Sequence, residues 1–487
     1  MWAALEEEFD SRVEAWAVQR LDACEATHVR GEQSEAALDL RMRCLDRRAV
    51  EVEALLATFD TIEPQRVPLA LAPLERLPAI EVCADIEFLE LSRPTPEAED
   101  EREAVAQLRE RASRLSAASI SSNIADHEVA AHALVDDAIE LGYEPFIAEA
   151  KLTRAKIESF LGRGKVAGKL YEEAFEYALA TQHLEIQVWA AVEATFVYAE
   201  QVRDQDQAER WGRQAQALLR LRAPPHFPRA RRALQANLGV AALWAGKLDE
   251  ARAYLTESAR LCEEAGLGDS MDAIGVEANL GILERRSGHL DVAARHLAKA
   301  KAKAMRALGE GHPRVGSITN SLGFTYLAME RLKDAETQFR GSLQLLERKV
   351  GTNPSSIGHP LNNLGYVLLE DGRADEALPL LTRCIEIWTE QHGVDYPVLA
   401  DPLTTRGAAF LALDRGEEAK ADLERARRLL PETASPNDRG RLLVLLAQAF
   451  ATTDPARATA FIEDGRKLKG IKPKLKRELA AWTGAEP

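Results

Sequence analysis

The amino-acid sequence predicts an all-α protein, a solenoid built from antiparallel helix pairs. Three observations lead to this prediction. The chain has 487 residues, which is too long for one compact core and indicates several domains or a repeat array. Ala, Leu, Glu and Arg are abundant and aromatic residues make up only 6%, a mix that favours helices. A pattern of small and apolar residues also returns at a fixed interval, which is typical of repeat proteins.

The repeat is clearest in five segments that align without gaps around a glycine. Successive glycines are 42 residues apart, and the flanking residues follow the same pattern each time. Chance does not produce four equal intervals of this kind. The five reference glycines are Gly239, Gly281, Gly323, Gly365 and Gly407.

Each segment continues into a second pattern. A small residue follows the reference glycine by 12 positions, a large apolar residue by 16 and another small residue by 19; in one unit these are Ala377, Leu381 and Cys384. Spacings of four and three place these side chains on one face of a helix. The intervening turn, such as AGKLD, has the Gly and Asp chemistry of a helix–helix connection. Each unit is therefore predicted to be helix A, a short turn and helix B, with small residues that allow close packing.

This pattern resembles the tetratricopeptide repeat, which shares the Leu-Gly of helix A and the small, large apolar and small positions of helix B. The 42-residue period differs from the usual 34 and is similar to the repeats of kinesin light chains, which carry a His-Pro pair in the loop after helix B. His312-Pro313 precedes one helix A, and Tyr396-Pro397 precedes another. The resemblance implies a right-handed superhelical solenoid whose A helices line the concave side.

Three regions are predicted along the chain. Residues 1–100 form an N-terminal helical capping region, in which the proline-rich stretch 64–78 is a connector. Residues 101–465 form a tetratricopeptide repeat array of eight to nine units, clearest over 230–430. Residues 466–487 form a basic C-terminal capping helix with a polar outer face, as the end of a solenoid requires.

Residues 22–48 carry a second resemblance. The stretch DACEATHVRGEQSEAALDLRMRCLDRR resembles the segment that opens the C-terminal repeat region of myxobacterial serine/threonine protein kinases. The whole chain resembles that region with the kinase domain absent. Because a Gly-rich loop, an HRD catalytic loop and a DFG motif do not occur, the resemblance does not imply kinase activity. It implies a kinase or another effector as a candidate partner.

Charge and hydropathy disfavour two classes of partner. The net charge is −16, which disfavours nucleic acid and anionic membranes, and no stretch is apolar for long enough to span a bilayer. The acidic, amphipathic N-terminus differs from a signal peptide, so a cytoplasmic location is expected. The kinase resemblance implies an extracytoplasmic location if the chain is a fragment of a membrane-anchored kinase.

The cysteines do not form a CxxC pair, which argues against a zinc knuckle or a thioredoxin-like motif. Free thiols are expected, because reduced thiols are the normal state in the cytosol. The alternative is a bridge between Cys24 and Cys44, which lie on consecutive helices around the turn near Gly31. The five cysteines are Cys24, Cys44, Cys83, Cys262 and Cys384.

Two stretches resemble chemical motifs but lack required residues. His127 and His132 are five positions apart, whereas the zinc motif HExxH needs four for a common helix face. The stretch 162–169 has Arg163 and is followed by Leu170, where a phosphate-binding loop needs Gly and then Ser or Thr. We therefore expect a protein that is not an enzyme and that uses no metal and no cofactor. An enzymatic site formed across helices stays an alternative.

The candidate functional residues lie on helix A. Positions three before the reference glycine, and one and four after it, are expected to face the concave groove. They combine amides, which bind peptide backbones, with apolar side chains. The candidate peptide-binding residues are Ile282, Arg285, Asn320, Phe324, Leu327, Asn362, Tyr366 and Leu369.

Two functions follow from these observations. The leading prediction is a protein–protein interaction scaffold that binds a protein segment or peptide along the concave groove. The alternative is a sensory or regulatory repeat region of a signalling protein kinase or another effector system.

Overall fold

The computed structural model of the chain describes residues 2–59, 77, 79–92, 96, 98–121, 125–221, 227–347, 355–431 and 434–482. These residues form helices and no strand, so the all-α prediction is confirmed. Apart from Leu77, the predicted connector at 64–78 lies outside the described residues. No helix within these ranges is long and apolar enough to cross a membrane.

The chain divides into two compact units, Met1–Val315 and Gly316–Pro487. The unit boundary falls inside the expected repeat array, so the three predicted regions stay a prediction. The helices of the first unit are α1 Trp2–His28, α2 Glu35–Phe59, α3 Ile86–Ser92, α4 Glu99–Ser121, α5 Ala125–Leu141, α6 Glu144–Phe160, α7 Gly164–Ala180, α8 Leu184–Phe196, α9 Gln205–Leu221, α10 Pro228–Trp244, α11 Leu248–Glu264, α12 Met271–Arg286 and α13 Leu290–Leu308. A 3₁₀ turn, Ile80–Ala84, precedes α3, and a π-helical turn, Val197–Val202, continues α8.

Helix α14 spans Pro313–Ala328 and carries the first residues of the second unit. The other helices of that unit are α15 Leu332–Glu347, α16 Ser355–Glu370, α17 Ala374–His392, α18 Ala400–Ala412, α19 Gly416–Leu429, α20 Pro436–Phe450, α21 Pro455–Arg466 and α22 Pro473–Ala481. In this unit α14, α16, α18 and α20 are the A helices, and α15, α17, α19 and α21 are the B helices. The predicted alternation of helix A and helix B is confirmed.

The turn between helix A and helix B has the same backbone geometry in all five 42-residue units. Its central residue has a positive φ, which glycine adopts without a Cβ clash. The next N–H donates to the carbonyl five residues earlier, as from Arg373 to Leu368 at 2.8 Å. This left-handed cap satisfies carbonyls that the end of helix A would leave unpaired. The positive-φ residues are Gly246, Gly288, Glu330, Gly372 and Asp414.

The reference glycines allow helix A to contact helix B closely. A Cβ atom on Gly365 would lie 2.6 Å from Cγ of Leu381, and one on Gly239 would lie 2.6 Å from Cγ of Leu255. Real Cβ atoms do not approach carbon this closely, so only glycine fits without a shift. The contact joins the reference glycine to the large apolar residue 16 positions later, as the sequence predicts.

The second small position of helix B adds a hydrogen bond to helix A. Its side chain is buried, and in three units it donates to a backbone carbonyl 26 residues earlier. Cys384 is therefore a packing and hydrogen-bonding residue, and burial raises the pKa of its thiol above the usual range. The three bonds run from Ser258 to Arg232, from Ser342 to Gly316 and from Cys384 to Gly358.

Polar side chains fix the hairpin formed by α1 and α2. The Trp16 indole donates to the Leu45 carbonyl at 2.8 Å. The guanidinium of Arg41, almost fully buried, donates to the carboxylate of Asp22 at 2.7 Å. The Gln33 amide, in the turn, donates to the Thr27 hydroxyl and the Ala23 carbonyl. Several residues of the segment 22–48 thus hold this hairpin together.

The expectation of five free thiols is wrong for two cysteines. Cys44 on α2 forms a disulfide with Cys83, which lies in the 3₁₀ turn before α3. Cys24, the partner considered from the sequence, is free and exposed. The sequence could not place Cys83, because the proline-rich stretch 64–78 between the two residues has no helical period from which to derive a position. The 3₁₀ turn nevertheless packs on α2, with both sulfur-bearing residues buried.

An ion-pair network connects α4, α6 and the start of α8. Arg109 donates to Glu149 through Nε at 3.0 Å and through Nη2 at 2.5 Å. His183 Nε2 lies 3.3 Å from the same carboxylate. Burial raises the pKa of Glu149, but the attraction of Arg109 and His183 outweighs burial and holds the pKa below its usual range. This part of the first unit therefore depends on polar contacts as well as on packing.

The C-terminal helix α22 packs on the last helix pair. Leu475 lies against Gly440 and Leu479 lies against Gly465, each at a distance that leaves no room for a Cβ on the glycine. The basic residues of this helix are exposed. A short helix with one apolar side and a basic outer side is what the end of a repeat array needs.

Candidate protein-binding face

The second unit carries eight side chains of interest on its A helices, a surface that we call the A-helix face. At 100° per residue, positions six before, three before and one after the reference glycine lie about 60–120° from the glycine, away from helix B. The face consists of Asn320 and Phe324 on α14, Asn362 and Tyr366 on α16, Asp401 on α18 and Arg441 on α20, with Leu327 on α14 and Leu369 on α16, four after the reference glycine, at its border.

Aromatic side chains give this face its apolar character. Phe324 is 38% exposed, which is unusual for a phenylalanine in a helix that packs on its neighbours. The ring of Tyr366 is half-buried, with the Arg441 guanidinium 4.6 Å from its centroid. Stacking of this kind joins α16 to α20.

Leu327 and Leu369 contribute less to the surface than the sequence predicts. Both are partly buried and pack with the core between α14, α15, α16 and α17. The reason is geometric, because a residue four after the reference glycine is only about 40° from it around the helix. These two leucines therefore face partly towards helix B.

The predicted amides are engaged between neighbouring A helices. Asn363 Nδ2 donates to Asn320 Oδ1 at 3.1 Å, and Asn362 Nδ2 donates to Asp401 Oδ2 at 2.6 Å. Asn320 is half-buried and keeps its own amide N–H groups for other acceptors, whereas Asn362 is only 6% exposed. The amides thus position the helices as well as line the face.

Asp401 and Arg441 belong to the face but were not among the predicted site residues. Asp401 occupies the position six before Gly407, and that position lies about 20° from the one after the glycine. Adding the position six before each reference glycine to the prediction would have included Asp401. Arg441 lies in the last helix A, where the period is shortened and the alignment to the glycine is lost.

Asp401 is exposed but surrounded by protein. Burial by the neighbouring helices raises the pKa of its carboxyl, although Arg441 and the hydrogen bond from Asn362 act in the opposite direction. The Asp401 side chain thus reaches solvent at a place where neighbouring helices lie close to its carboxyl.

Ile282 and Arg285 lie on α12, in the first unit, and so are not part of the A-helix face. Both are half-buried. Burial, with a smaller contribution from repulsion by Arg286, lowers the pKa of Arg285 to about 10. Their predicted role in peptide binding stays a prediction.

The stretch with His127 and His132 contributes to a small charged cluster. Ligand atoms of Glu128, His132 and Glu158 lie within 4.8 Å of one another. Arg163 donates to Glu128 at 2.6 Å and to Glu158 at 3.3 Å, so both carboxylates are already paired with a cation. The arrangement is that of an ion-pair network between α5, α6 and the turn that follows.

The phosphate-loop-like stretch 162–169 is the turn between α6 and α7. Gly162 has a φ of 78°, and α7 begins at Gly164. Gly164 and Gly168 pack against Gln201 and Tyr198, which leaves no space for a Cβ at either position. As the sequence predicts, the glycines serve a repeat turn and helix packing.

Comparison with known proteins supports the repeat assignment. Residues 276–348 and 356–432 match the family model described as tetratricopeptide repeat. No curated protein sequence matches the chain. Among solved structures, the chain is similar to BtubC from P. vanneervenii, with 22% identity, a TM-score of 0.39 and coverage of 48% of this chain and 96% of that chain.

Two further structures have a comparable likeness. The apo form of the quorum sensor NprR from B. thuringiensis is 14% identical over 65% of this chain and 85% of that chain, with a TM-score of 0.46. A tetratricopeptide repeat protein from Parabacteroides merdae is 18% identical over 60% and 97%, with a TM-score of 0.37. Together with the helix pairs described above, the family match leads to one conclusion: residues 276–348 and 356–432 carry tetratricopeptide repeats in an all-α fold.

Proposed function

We propose that the A-helix face of the second unit binds a segment of another protein. Tetratricopeptide repeats commonly serve as protein–protein interaction scaffolds. The observation that carries the proposal is the exposed aromatic Phe324 on a face that also holds Tyr366, Asn320 and Asp401. Aromatic anchors beside polar groups are the usual composition of a peptide-binding groove.

The face offers contacts for both the side chains and the backbone of a bound segment. Phe324 and the half-buried ring of Tyr366 provide apolar area, and the N–H groups of Asn320 can donate to a peptide carbonyl. These groups lie on successive A helices, so an extended segment is the shape that would meet them in turn.

A second candidate function is a regulatory region that works with a protein kinase or another effector. It is supported by the resemblance of residues 22–48 to the corresponding segment of myxobacterial kinases. In this function the A-helix face would bind a segment of the effector, so the same variants would impair both functions.

The test is a double variant, Phe324→Ala with Tyr366→Ala. Peptides are first selected from a displayed random library on the wild-type protein, and their affinities are then measured by fluorescence polarisation. Because truncation of a central aromatic anchor typically costs about 2 kcal/mol, we expect the variant to bind at least tenfold more weakly.

The matched control is Val394→Ala. Val394 is an exposed apolar residue in the loop after α17, outside the A-helix face. The control should bind the selected peptides with wild-type affinity, and circular dichroism should show that all variants keep their helicity. Equal binding by the double variant and the wild type would rule out the A-helix face as the binding surface.

A further inference from the structure

Asp401 is a carboxylate whose surroundings do not neutralise it. Among the described residues, no Lys, Arg or His nitrogen lies within the 4.0 Å that defines an ion pair with it, and its hydrogen-bond partner is the neutral amide of Asn362. Protein around the carboxyl raises its pKa. Removing solvent from a carboxylate without a cationic partner is unfavourable, so a ligand cation would recover that free energy.

The Asn362 side chain adds a second uncompensated acceptor at the same place. Its Nδ2 donates to Asp401 at 2.6 Å, which points the amide at the carboxylate. Its Oδ1 is buried and has no hydrogen-bond partner, and the residue is 94% removed from solvent. A buried acceptor left unpaired is costly, and the amide offers Asp401 a neutral donor and no positive charge.

Two cations of the chain lie near this face without forming an ion pair with Asp401. The Arg441 guanidinium stacks on the Tyr366 ring at 4.6 Å, and Lys474 lies 3.8 Å from Glu370. Asp438 lies close enough to Asp401 to add to the negative potential. The charged groups that act on Asp401 are thus a second carboxylate, that of Asp438, and one guanidinium, that of Arg441, which lies beyond ion-pair distance.

We propose that Asp401 receives a positively charged group of the bound segment: a lysine ammonium, an arginine guanidinium or a free amino terminus. The inference rests on the proposed function and narrows it to segments that carry a cation next to apolar residues. The net charge of −16 favours the approach of such segments at long range. Asn362 is a positioning residue that orients the carboxylate.

The experiment uses a positional-scanning library of acetylated, amidated decapeptides. In each pool, one position is fixed as Lys, Arg, Glu or Leu and the other positions are random. The affinity of each pool for the wild type and for Asp401→Asn is measured at two salt concentrations. For at least one position of the peptide, the wild type should bind the pool with Lys or Arg fixed there at least tenfold more tightly than the pool with Glu fixed there. Asp401→Asn should lose this preference, so that its affinities for Lys, Arg and Glu pools become similar. Higher salt should reduce the preference in the wild type.

A second set of pools without the acetyl group separates the two sources of the cation. If each unacetylated pool binds the wild type, but not Asp401→Asn, more tightly than its acetylated counterpart, the site receives an amino terminus. A preference for Lys or Arg in both sets assigns the site to a side chain. The matched control is Asp414→Asn, which removes the same charge from a turn outside the face, at a φ of 59° that asparagine tolerates.

The outcomes distinguish this inference from the proposed function. If the wild type binds Leu pools but does not prefer cations, or if Asp401→Asn keeps the preference, the inference fails and the proposed function stands. If no pool binds the wild type, the proposed function fails, and the inference fails with it. A loss of preference that Asp414→Asn shows equally would reflect net charge alone and would also overturn the inference.

Discussion

The N-terminal part of the first unit and the repeats of the second unit are stabilised in different ways. In residues 2–160, a disulfide joins Cys44 to Cys83 and an ion pair joins Arg109 to Glu149. In the second unit, a reference glycine on helix A lies against a leucine or phenylalanine on helix B with no room for a Cβ, as Gly365 lies against Leu381. The first region has stabilising bonds that occur once, and the second has packing contacts that recur with the repeat.

This difference explains which region could be predicted from the sequence. The packing contacts of the repeats join residues 16 positions apart within one helix pair, and they recur with the period. The bonds of the N-terminal part join residues 39 or 40 positions apart and occur once. A period can be recognised in a single sequence, whereas a unique long-range bond cannot.

The largest effect should follow removal of the disulfide. Cys44→Ser with Cys83→Ser releases a loop of 39 residues, and the chain-entropy estimate for such a loop is about 4 kcal/mol of unfolding free energy. Because solenoid units contact mainly their neighbours, the loss should be confined to the N-terminal part. Hydrogen exchange in urea, measured separately for α2 and α16, checks this.

Cys24→Ser is the matched control, since Cys24 is free and exposed in the same hairpin. It should leave exchange in α2 unchanged. An equal loss of protection in α2 and α16 after removal of the disulfide would contradict the view that the two regions are stabilised separately.

A smaller effect is expected from Gly365→Ala in the repeats. The added Cβ would meet Leu381 Cγ at 2.6 Å, and Leu381 is fully buried and cannot swing away. Overpacking of this kind costs about 1–3 kcal/mol, measured as a lower midpoint of urea unfolding for the second unit.

Gly341→Ala makes the same chemical change in the same unit with the opposite expected sign. Its Cβ would meet nothing closer than a Thr319 methyl at 3.9 Å, on a helical backbone. Alanine is favoured over glycine in a helix by about 1 kcal/mol, so this variant should be more stable than the wild type. If both variants shift the midpoint in the same direction, close packing at the reference glycine is not what stabilises the repeats.

The candidate site was predicted less completely than the fold. The period placed Asn320, Phe324, Asn362 and Tyr366 on one face, but it did not show that the amides bond to neighbouring helices. It also missed Asp401, because the three positions chosen on each helix A begin three residues before the glycine, about one turn after the position of Asp401. Partners across a surface depend on how helices stack, and the residues of one helix do not determine that.

The smallest expected effect concerns His312, where a titratable group positions a helix in the repeats. Its Nδ1 accepts a hydrogen bond from the Arg314 N–H at the start of α14, a bond that only the neutral ring can accept. Burial, with a smaller contribution from repulsion by Arg314, lowers the pKa of His312 to about 4. In the unfolded chain the pKa is about 6.5, so the unfolded state binds the proton first. Stability is therefore lost as the pH falls from 6.5 towards 4, and no further loss comes from this group below pH 4.

The comparison that isolates this contribution is the wild type against His312→Asn, because asparagine can cap a helix and does not titrate. The free energy of unfolding in urea is measured for both proteins at pH 7.5 and at pH 5.5. Between these values the wild type should lose about 1 kcal/mol more than the variant, since other groups titrate equally in both. Parallel losses would mean that the histidine is protonated at similar pH in the folded and unfolded chains. The helix start would then depend on Pro313 and packing alone, like the other contacts of the repeats.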